Sequence, residues 1–266
     1  MLAELALGWT DGFAAASGAA VGFVLAVIGG GGSVLAVPLL HYVVGVQDPH
    51  RAMGTAALAV AANAVINLLQ HARAGTVKWP CASVFAAAGV IGALLGAHFG
   101  KTVDGRALLL LFALAMLGVG VALLLGRAGG GNPNVRITMP IAARLIALGF
   151  GAGALSGFLG IGGGFLIVPG LIAGAGMATI NAIGSSLLGI GAFGFATAGS
   201  YAASGLVDGR LATFFLVGGV FGGWLGVRAA MWLATRKGVL DRLFGAMLVV
   251  LALAMIVQSV RALGWL

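Results

Sequence analysis

Two glycine clusters interrupt long apolar stretches of this 266-residue chain, and they restrict its fold more than any other feature. The first lies in GGGGSVLAVP at 29–38, and the second lies 131 positions later in GIGGGFLIVP at 160–169. In each, a proline follows five residues after the last small residue, Ser33 or Gly164. Helix breaks inside a membrane leave backbone groups that only a buried site or a cavity can accommodate. The pattern therefore predicts two broken helices and a transport pathway centred on them.

The composition places the chain in a lipid bilayer. It is 61% hydrophobic and only 8% charged, which exceeds what a water-soluble core could bury. The net charge is +8, but the Lys and Arg residues are scattered among the predicted loops, where they determine topology, so we expect no nucleic-acid partner. Cys81 is the one cysteine, which excludes an internal disulfide framework.

Six apolar segments have spanning length: 53–70, 80–99, 107–126, 183–203, 211–234 and 243–260. The two glycine-containing regions, 13–46 and 144–177, are too long for one span and too short for two. Split at the glycines, they are expected to form pairs of half-helices.

The two halves of the chain align beyond the glycine clusters, which indicates an internal duplication. The matching positions are Gly54-Thr55-Ala56 with Gly184-Ser185-Ser186, Gly75 with Gly205, and Gly92 and Gly96 with Gly222 and Gly226. The polar stretch RAGGGNPNVRITMP separates the halves. We predict a first membrane repeat at 1–126, a linker at 127–140 and a second membrane repeat at 141–266.

The distribution of Lys and Arg favours one topology. If each glycine region crossed the membrane, the two sides would carry seven basic residues each. If each is a re-entrant hairpin, one side carries nine and the other five, the five being Arg51, Lys101, Arg106, Arg210 and Arg261. We therefore predict an all-α polytopic membrane protein with two inverted-topology repeats, each a re-entrant broken-helix hairpin plus three transmembrane helices. The protein would lie in the cell (inner or plasma) membrane, with both termini on the outer side.

In such a hairpin the second half-helix begins at the glycines, so its free N–H groups point toward the membrane interior. A helix N-terminus carries about half a positive charge and binds anions without a buried Lys or Arg. The predicted anion-binding residues are Gly30, Gly31, Gly32, Ser33 and Val34 in the first half, and Gly162, Gly163, Gly164 and Phe165 in the second. The alternative is that the glycines only allow tight helix packing.

Polar side chains on the neighbouring helices could supply further hydrogen bonds to an anion. Asn63 and Asn67 share one helical face, Thr55 lies upstream, and Ser185 and Ser186 follow in the second half. In the alignment of the two halves Phe193 corresponds to Asn63, so such a site would be asymmetric. The alternative role for the Asn residues is hydrogen bonding between helices.

Two histidines are candidate proton carriers because imidazole titrates near neutral pH. They are His41 and His71, for which a structural role is the alternative. The glycine series at 89, 92, 96 and 100, and at 218, 222 and 226, predicts close helix packing rather than function. We expect no catalytic residue, no metal site and no cofactor.

The motifs around both glycine clusters resemble the sulfite exporter TauE/SafE family of membrane permeases. They are Gly157 to Pro169 with Gly184, Ser185 and Ser186, and Gly22 to Pro38 with Gly54, Thr55, Ala56 and His71 to Val77. The resemblance covers nearly the whole chain and implies export or uptake of small sulfur-containing anions such as sulfite, sulfoacetate or other organosulfonates, and of the two directions we expect export. Ser33 and Ala56 depart from the residues typical of the family.

Two other classes of protein stay open at this point. An anion channel would need the same dehydrated path. An intramembrane hydrolase would rest on Ser156 with His41 or His71 as its base, although Ser156 lacks the expected GxSG spacing and no acid is placed to orient a histidine. No carboxylate is expected at the membrane midplane, which argues against a cationic substrate.

Overall fold

The computed structural model of the protein describes residues 8–100, 131–158, 164–233 and 239–262, together with isolated positions between 110 and 125. Within these residues the structure is helical, with one isolated bridge between Asn132 and Met177. The helices are α1 (Trp9–Ile28), α2 (Gly31–Pro38), α3 (Pro49–Arg73), α4 (Trp79–Gly100), α5 (Met139–Phe158), α6 (Gly164–Ala175), α7 (Thr179–Ala202), α8 (Gly209–Leu233) and α9 (Val239–Ala262). A π-helical segment, Leu39–Val43, follows α2 directly.

Six of the described helices are long and apolar enough to cross a bilayer: α1, α3, α4, α5, α7 and α8. The prediction of an all-helical, multi-pass membrane protein is therefore confirmed. The predicted span at 243–260 lies within α9. The predicted span at 107–126 lies largely outside the described residues.

The first glycine cluster breaks the chain between α1 and α2, as predicted, but the two pieces are unequal. α1 has 20 residues and α2 has 8. The expectation of paired half-helices is wrong for α1, because this helix begins at Trp9, before the predicted region. The Asp11 side chain accepts a hydrogen bond from the Gly8 N–H at 3.0 Å and so stabilises the earlier start. In the second half α5 also has 20 residues, and α6 has 12.

α2 is short because Pro38 interrupts its hydrogen bonding. Proline has no N–H to donate to the preceding turn, and its ring crowds the carbonyl four residues back. The chain continues through the wider π-helical turn of Leu39–Val43.

α1 lies along α8, α4 lies along α5, and α3 packs against α7. Each of these helix pairs joins one helix from the first half of the chain with one from the second half. A side chain at Gly22 of α1 would overlap the backbone of Gly219 in α8, and a side chain at Gly153 of α5 would overlap the backbone of Gly89 in α4. The same glycine contact thus occurs twice with the halves interchanged. The prediction that the glycine series mediate helix packing is confirmed.

The bundle has two ends that the contacts define. At the first end lies a cavity of about 700 Å³, lined by Gly8, Thr10, Asp11, residues 44–48, Arg51, Asp208, Arg210 and Leu211. At the second end, the Asn132 N–H donates to the Gly176 carbonyl, and the Asn181 amide donates to the Thr76 carbonyl. α1 begins at the first end, and the chain returns there after α2.

Candidate functional site

The first glycine break is buried in the bundle. Gly29 has a φ of +69°, a conformation that favours glycine, and it turns the chain between α1 and α2. A Cβ atom at Gly29 would lie 2.7 Å from the Ser186 Oγ and 3.1 Å from a Val168 methyl group. The break therefore needs glycine for its backbone conformation and for its contact with α6 and α7.

Two buried hydroxyl groups lie at this break. The Ser33 Oγ donates to the Gly30 carbonyl at 2.7 Å, and the Ser186 Oγ donates to the Ile183 carbonyl at 2.7 Å. Both side chains are 0% exposed. Each hydroxyl bonds to a carbonyl of its own chain segment, so it can donate to a ligand only after rotating away from that carbonyl.

The structure places Ser185 beside the second end and Thr55 at the first. The Ser185 Oγ accepts the Lys78 N–H at 2.8 Å, just before α4. The Thr55 Oγ1 accepts the Asp208 N–H at 2.9 Å, just before α8. Each hydroxyl thus anchors the loop that leads into a helix of the other half. Thr55 is not brought together with the first glycine break.

Asn63 and Asn67 face α1 and α8 rather than an open cavity. Both are 1% exposed. The Asn67 amide donates weakly to the Gly22 carbonyl at 3.4 Å, and its Cγ lies 3.0 Å from the position of a Cβ at Gly223. Within the described part of the chain, the Asn67 Oδ1 and both polar atoms of Asn63 have no hydrogen-bond partner. Glycines on α8 provide the space for these two side chains.

The corresponding position in the second half differs, as the sequence predicted. Phe193 occupies the position of Asn63 and packs against Gly89 and the Phe85 ring. An apolar contact therefore replaces a polar one, and the two halves have different interiors.

The two candidate proton carriers have different surroundings. His71 is 0% exposed; its Nε2 lies 3.0 Å from the Ala26 carbonyl, and its Nδ1 lies 3.0 Å from the Thr76 hydroxyl. His41 is half-buried, and its Nδ1 lies 2.7 Å from the Val46 carbonyl near the first end. Of the two, His71 lies close to the glycine break, because Ala26 is three residues before Gly29.

The second glycine cluster lies mostly outside the described residues. This applies to Gly162 and Gly163, so their predicted role in binding an anion stays a prediction. Gly164 begins α6, and Phe165 follows it in that helix.

Sequence reasoning gave little weight to several buried polar residues. Thr76 and Asn181 form the contact at the second end described above. Ser156, Thr197 and the Tyr201 hydroxyl are buried with no hydrogen-bond partner among the described residues. Tyr201 lies 130 positions after His71, so the internal duplication is the signal that could have identified it.

The interior carries almost no charge. Asp11 is the single buried charged side chain in the described ranges; it is 2% exposed and pairs with Arg210 at 2.7 Å. All described Lys and Arg side chains are at least partly exposed. The described residues contain no group of three or more His, Cys, Asp or Glu side chains that could hold a metal ion. A ligand in this interior would meet neutral donors and helix ends.

These features define a multi-pass membrane protein with a helix break inside its bundle, an arrangement typical of transporters. The family model described as sulfite exporter TauE/SafE matches residues 14–255. The chain belongs to the sulfite exporter TauE/SafE family.

Similar curated proteins agree with this assignment. The chain is 49% identical over 244 residues to a "Probable membrane transporter protein" of Xylella fastidiosa (strain 9a5c), covering 91% of this chain and 94% of the relative. It is 26% identical over 211 residues to "Probable membrane transporter protein YdhB" of Bacillus subtilis (strain 168), covering 78% and 85%. No solved structure matches the chain at a significant level.

Proposed function

We propose that this membrane transporter carries small sulfur-containing oxyanions, such as sulfite or organosulfonates including sulfoacetate, out of the cell across the cytoplasmic membrane. The observation that carries the proposal is the buried glycine break between α1 and α2, lined by the hydroxyl groups of Ser33 and Ser186, in an interior without a buried Lys or Arg among the described residues. Membership of the sulfite exporter family supports the choice of anion.

The anion would bind at the start of α2. The first N–H groups of a helix have no carbonyl partner within it, and the helix dipole adds a partial positive charge there. Residues Gly30 to Val34 would supply these N–H groups; the Gly32 N–H donates to the Gly29 carbonyl at 3.2 Å and would turn from it to the ligand. Ser33 and Ser186 would likewise rotate their hydroxyls toward the ligand. In the second half, Gly162 to Phe165 would form the equivalent end. Neutral donors bind an anion reversibly, whereas a permanently charged Lys or Arg buried there would cost free energy and would hold the anion more tightly.

The remaining polar residues would have different roles in the protein. Asn63 would offer an amide donor along α3, since its buried side-chain nitrogen has no partner among the described residues. Asn67 would offer its amide after giving up the weak hydrogen bond to the Gly22 carbonyl. Thr55 and Ser185 would chiefly hold the loops before α8 and α4.

We propose that the two halves are repeats of inverted topology, each with a re-entrant hairpin. Two observations support this: the chain returns after α2 to the end where α1 begins, and the packing of α1 with α8 is repeated by α5 with α4. The second end, with the greater number of Lys and Arg residues, would face the cytoplasm, and both termini would lie outside.

Flux measurements on the purified protein in liposomes test the proposal. We expect saturable efflux of sulfite and sulfoacetate, with little efflux of simple carboxylates. Ser186→Ala should raise the half-saturation concentration about tenfold if a hydrogen bond of about 1.4 kcal/mol is lost. Ser83→Ala is the matched control, because Ser83 is exposed on α4.

Three results would contradict the proposal. Carboxylate flux that exceeds the flux of every sulfur anion would refute the substrate class. A Ser186→Ala variant with wild-type half-saturation would remove the glycine break from the site. Single-channel currents in place of saturable flux would identify a channel.

A further inference from the structure

The hydrogen-bond partners of His71 suit a residue that changes its protonation state. The Ala26 carbonyl belongs to the last turn of α1, where carbonyl groups have no partner within the helix. A carbonyl oxygen can only accept, so the His71 Nε2 must carry a hydrogen and donate it across 3.0 Å. This requirement leaves only the Nδ1 atom free to gain or lose a proton.

The contact between Nδ1 and Thr76 can be satisfied in both states. With a neutral ring, Nδ1 accepts the hydrogen of the Thr76 hydroxyl at 3.0 Å. With a protonated ring, Nδ1 donates to the Thr76 oxygen, and the hydroxyl hydrogen turns to the His71 carbonyl at 3.1 Å. The two arrangements differ by the rotation of one hydroxyl group, and neither leaves a buried donor without an acceptor.

This cluster is connected to the glycine break. Ala26 lies three residues before Gly29, which contacts Ser186. Thr76 lies against Gly184, and its carbonyl accepts the Asn181 amide at 2.8 Å. A charge on His71 would therefore act next to the proposed anion site and on the loop that holds the start of α7.

Among the described residues, no permanently charged side chain is buried next to His71. On α3 and the loop after it, Arg73 is exposed and Lys78 half-buried. On α8, Arg228 is exposed and lies over the Trp224 ring. Asp11 of α1, His41 and Tyr42 lie toward the first end of the bundle. On α7, Tyr201 lies near the C-terminus of the helix, away from His71. The described residues of α6 include no titratable side chain.

We propose that His71 takes up a proton when the anion binds, so that a single proton moves with each anion. This inference rests on the proposed function and adds its coupling ion. By linkage, protonation of His71 and binding of the anion strengthen each other by the same factor. The equivalent residue of the second half is Tyr201, which does not titrate near neutral pH, so only one half would carry a proton.

Proteoliposomes with a pH-sensitive dye inside test the coupling, with thiosulfate as the probe because its charge is constant near neutral pH. We expect an imposed proton gradient to drive wild-type accumulation of thiosulfate, with protons crossing alongside. His71→Gln keeps a donor for the Ala26 carbonyl and should move thiosulfate downhill without protons and without dependence on pH. His41→Gln is the matched control and should behave like wild type.

A second measurement needs no variant at His71. Calorimetric binding of thiosulfate to the wild-type protein, repeated in buffers of different ionisation enthalpy, should report uptake of protons near neutral pH. Thr76→Val should shift the pH dependence of binding, because it removes the oxygen that accepts the Nδ1 hydrogen.

The outcomes separate this inference from the proposed function. A wild-type protein that transports no sulfur anion refutes the function itself. Thiosulfate transport without proton movement, or proton movement that persists in His71→Gln, refutes only the role of His71. Binding without proton uptake in the calorimeter has the same meaning, even if His71→Gln fails to fold.

Discussion

Replacing Gly153 in α5 by alanine should loosen the contact between α4 and α5. The new Cβ would overlap the Gly89 carbonyl oxygen and lie 2.6 Å from the Gly89 Cα. Ordinary contacts of a Cβ begin at 3.4 Å, so the two helices must separate by about 0.8 Å or more. The obstructing atoms belong to backbone, which cannot move aside as a flexible side chain could.

The magnitude follows by comparison with Gly151, two residues earlier in the same helix. A Cβ at Gly151 would meet nothing within 4 Å. Both substitutions gain the same helix propensity, so this gain cancels in the comparison. The difference isolates the overpacking, which typically costs about 1–3 kcal/mol. At about 2–4 °C per kcal/mol, Gly153→Ala should unfold roughly 2–12 °C below Gly151→Ala.

Thermal unfolding of the detergent-purified variants, followed by tryptophan fluorescence, measures this difference. The exchanged packing adds a second pair: Gly22→Ala in α1, whose Cβ would lie 2.6 Å from the Gly219 Cα, against Gly12→Ala, which has open space. The two pairs should show similar differences. Equal unfolding temperatures of Gly153→Ala and Gly151→Ala would refute the close contact between α4 and α5.

Two further predictions concern the ends of the bundle. Arg210→Gln should lower the unfolding temperature more than Arg51→Gln, because it leaves the buried Asp11 carboxylate without its cation, whereas Asp208, the partner of Arg51, is 23% exposed and can be hydrated. The reverse order of unfolding temperatures would contradict this prediction. Cysteines at the exposed positions Ala74 and Ala203 should label from opposite sides of the membrane, and equal labelling in intact cells by an impermeant reagent would exclude the hairpin topology. Ala74 and Ala203 are better labelling positions than the nearby glycines at 75 and 205, whose positive φ values disfavour cysteine.

Features that depend on local sequence could be predicted. The membrane class follows from composition, since too few polar residues exist to cover a soluble surface. The break at Gly29 follows from consecutive glycines, which weaken a helix wherever they occur. The duplication and the small-residue series are visible as spacings, and close packing is the general use of such series in membranes.

Features that depend on which helices meet could not be predicted. The Thr55 hydroxyl binds a backbone N–H 153 residues away, and the Ser185 hydroxyl binds one 107 residues away, so both engage loops where the sequence suggested a ligand. His71 and His41 are alike in sequence, yet only His71 has the end of a broken helix, 45 residues distant, as its partner. A side chain's polarity is a property of the sequence alone. Its partner is decided by the packing of distant helices, because hydrogen bonds act only over a few ångströms.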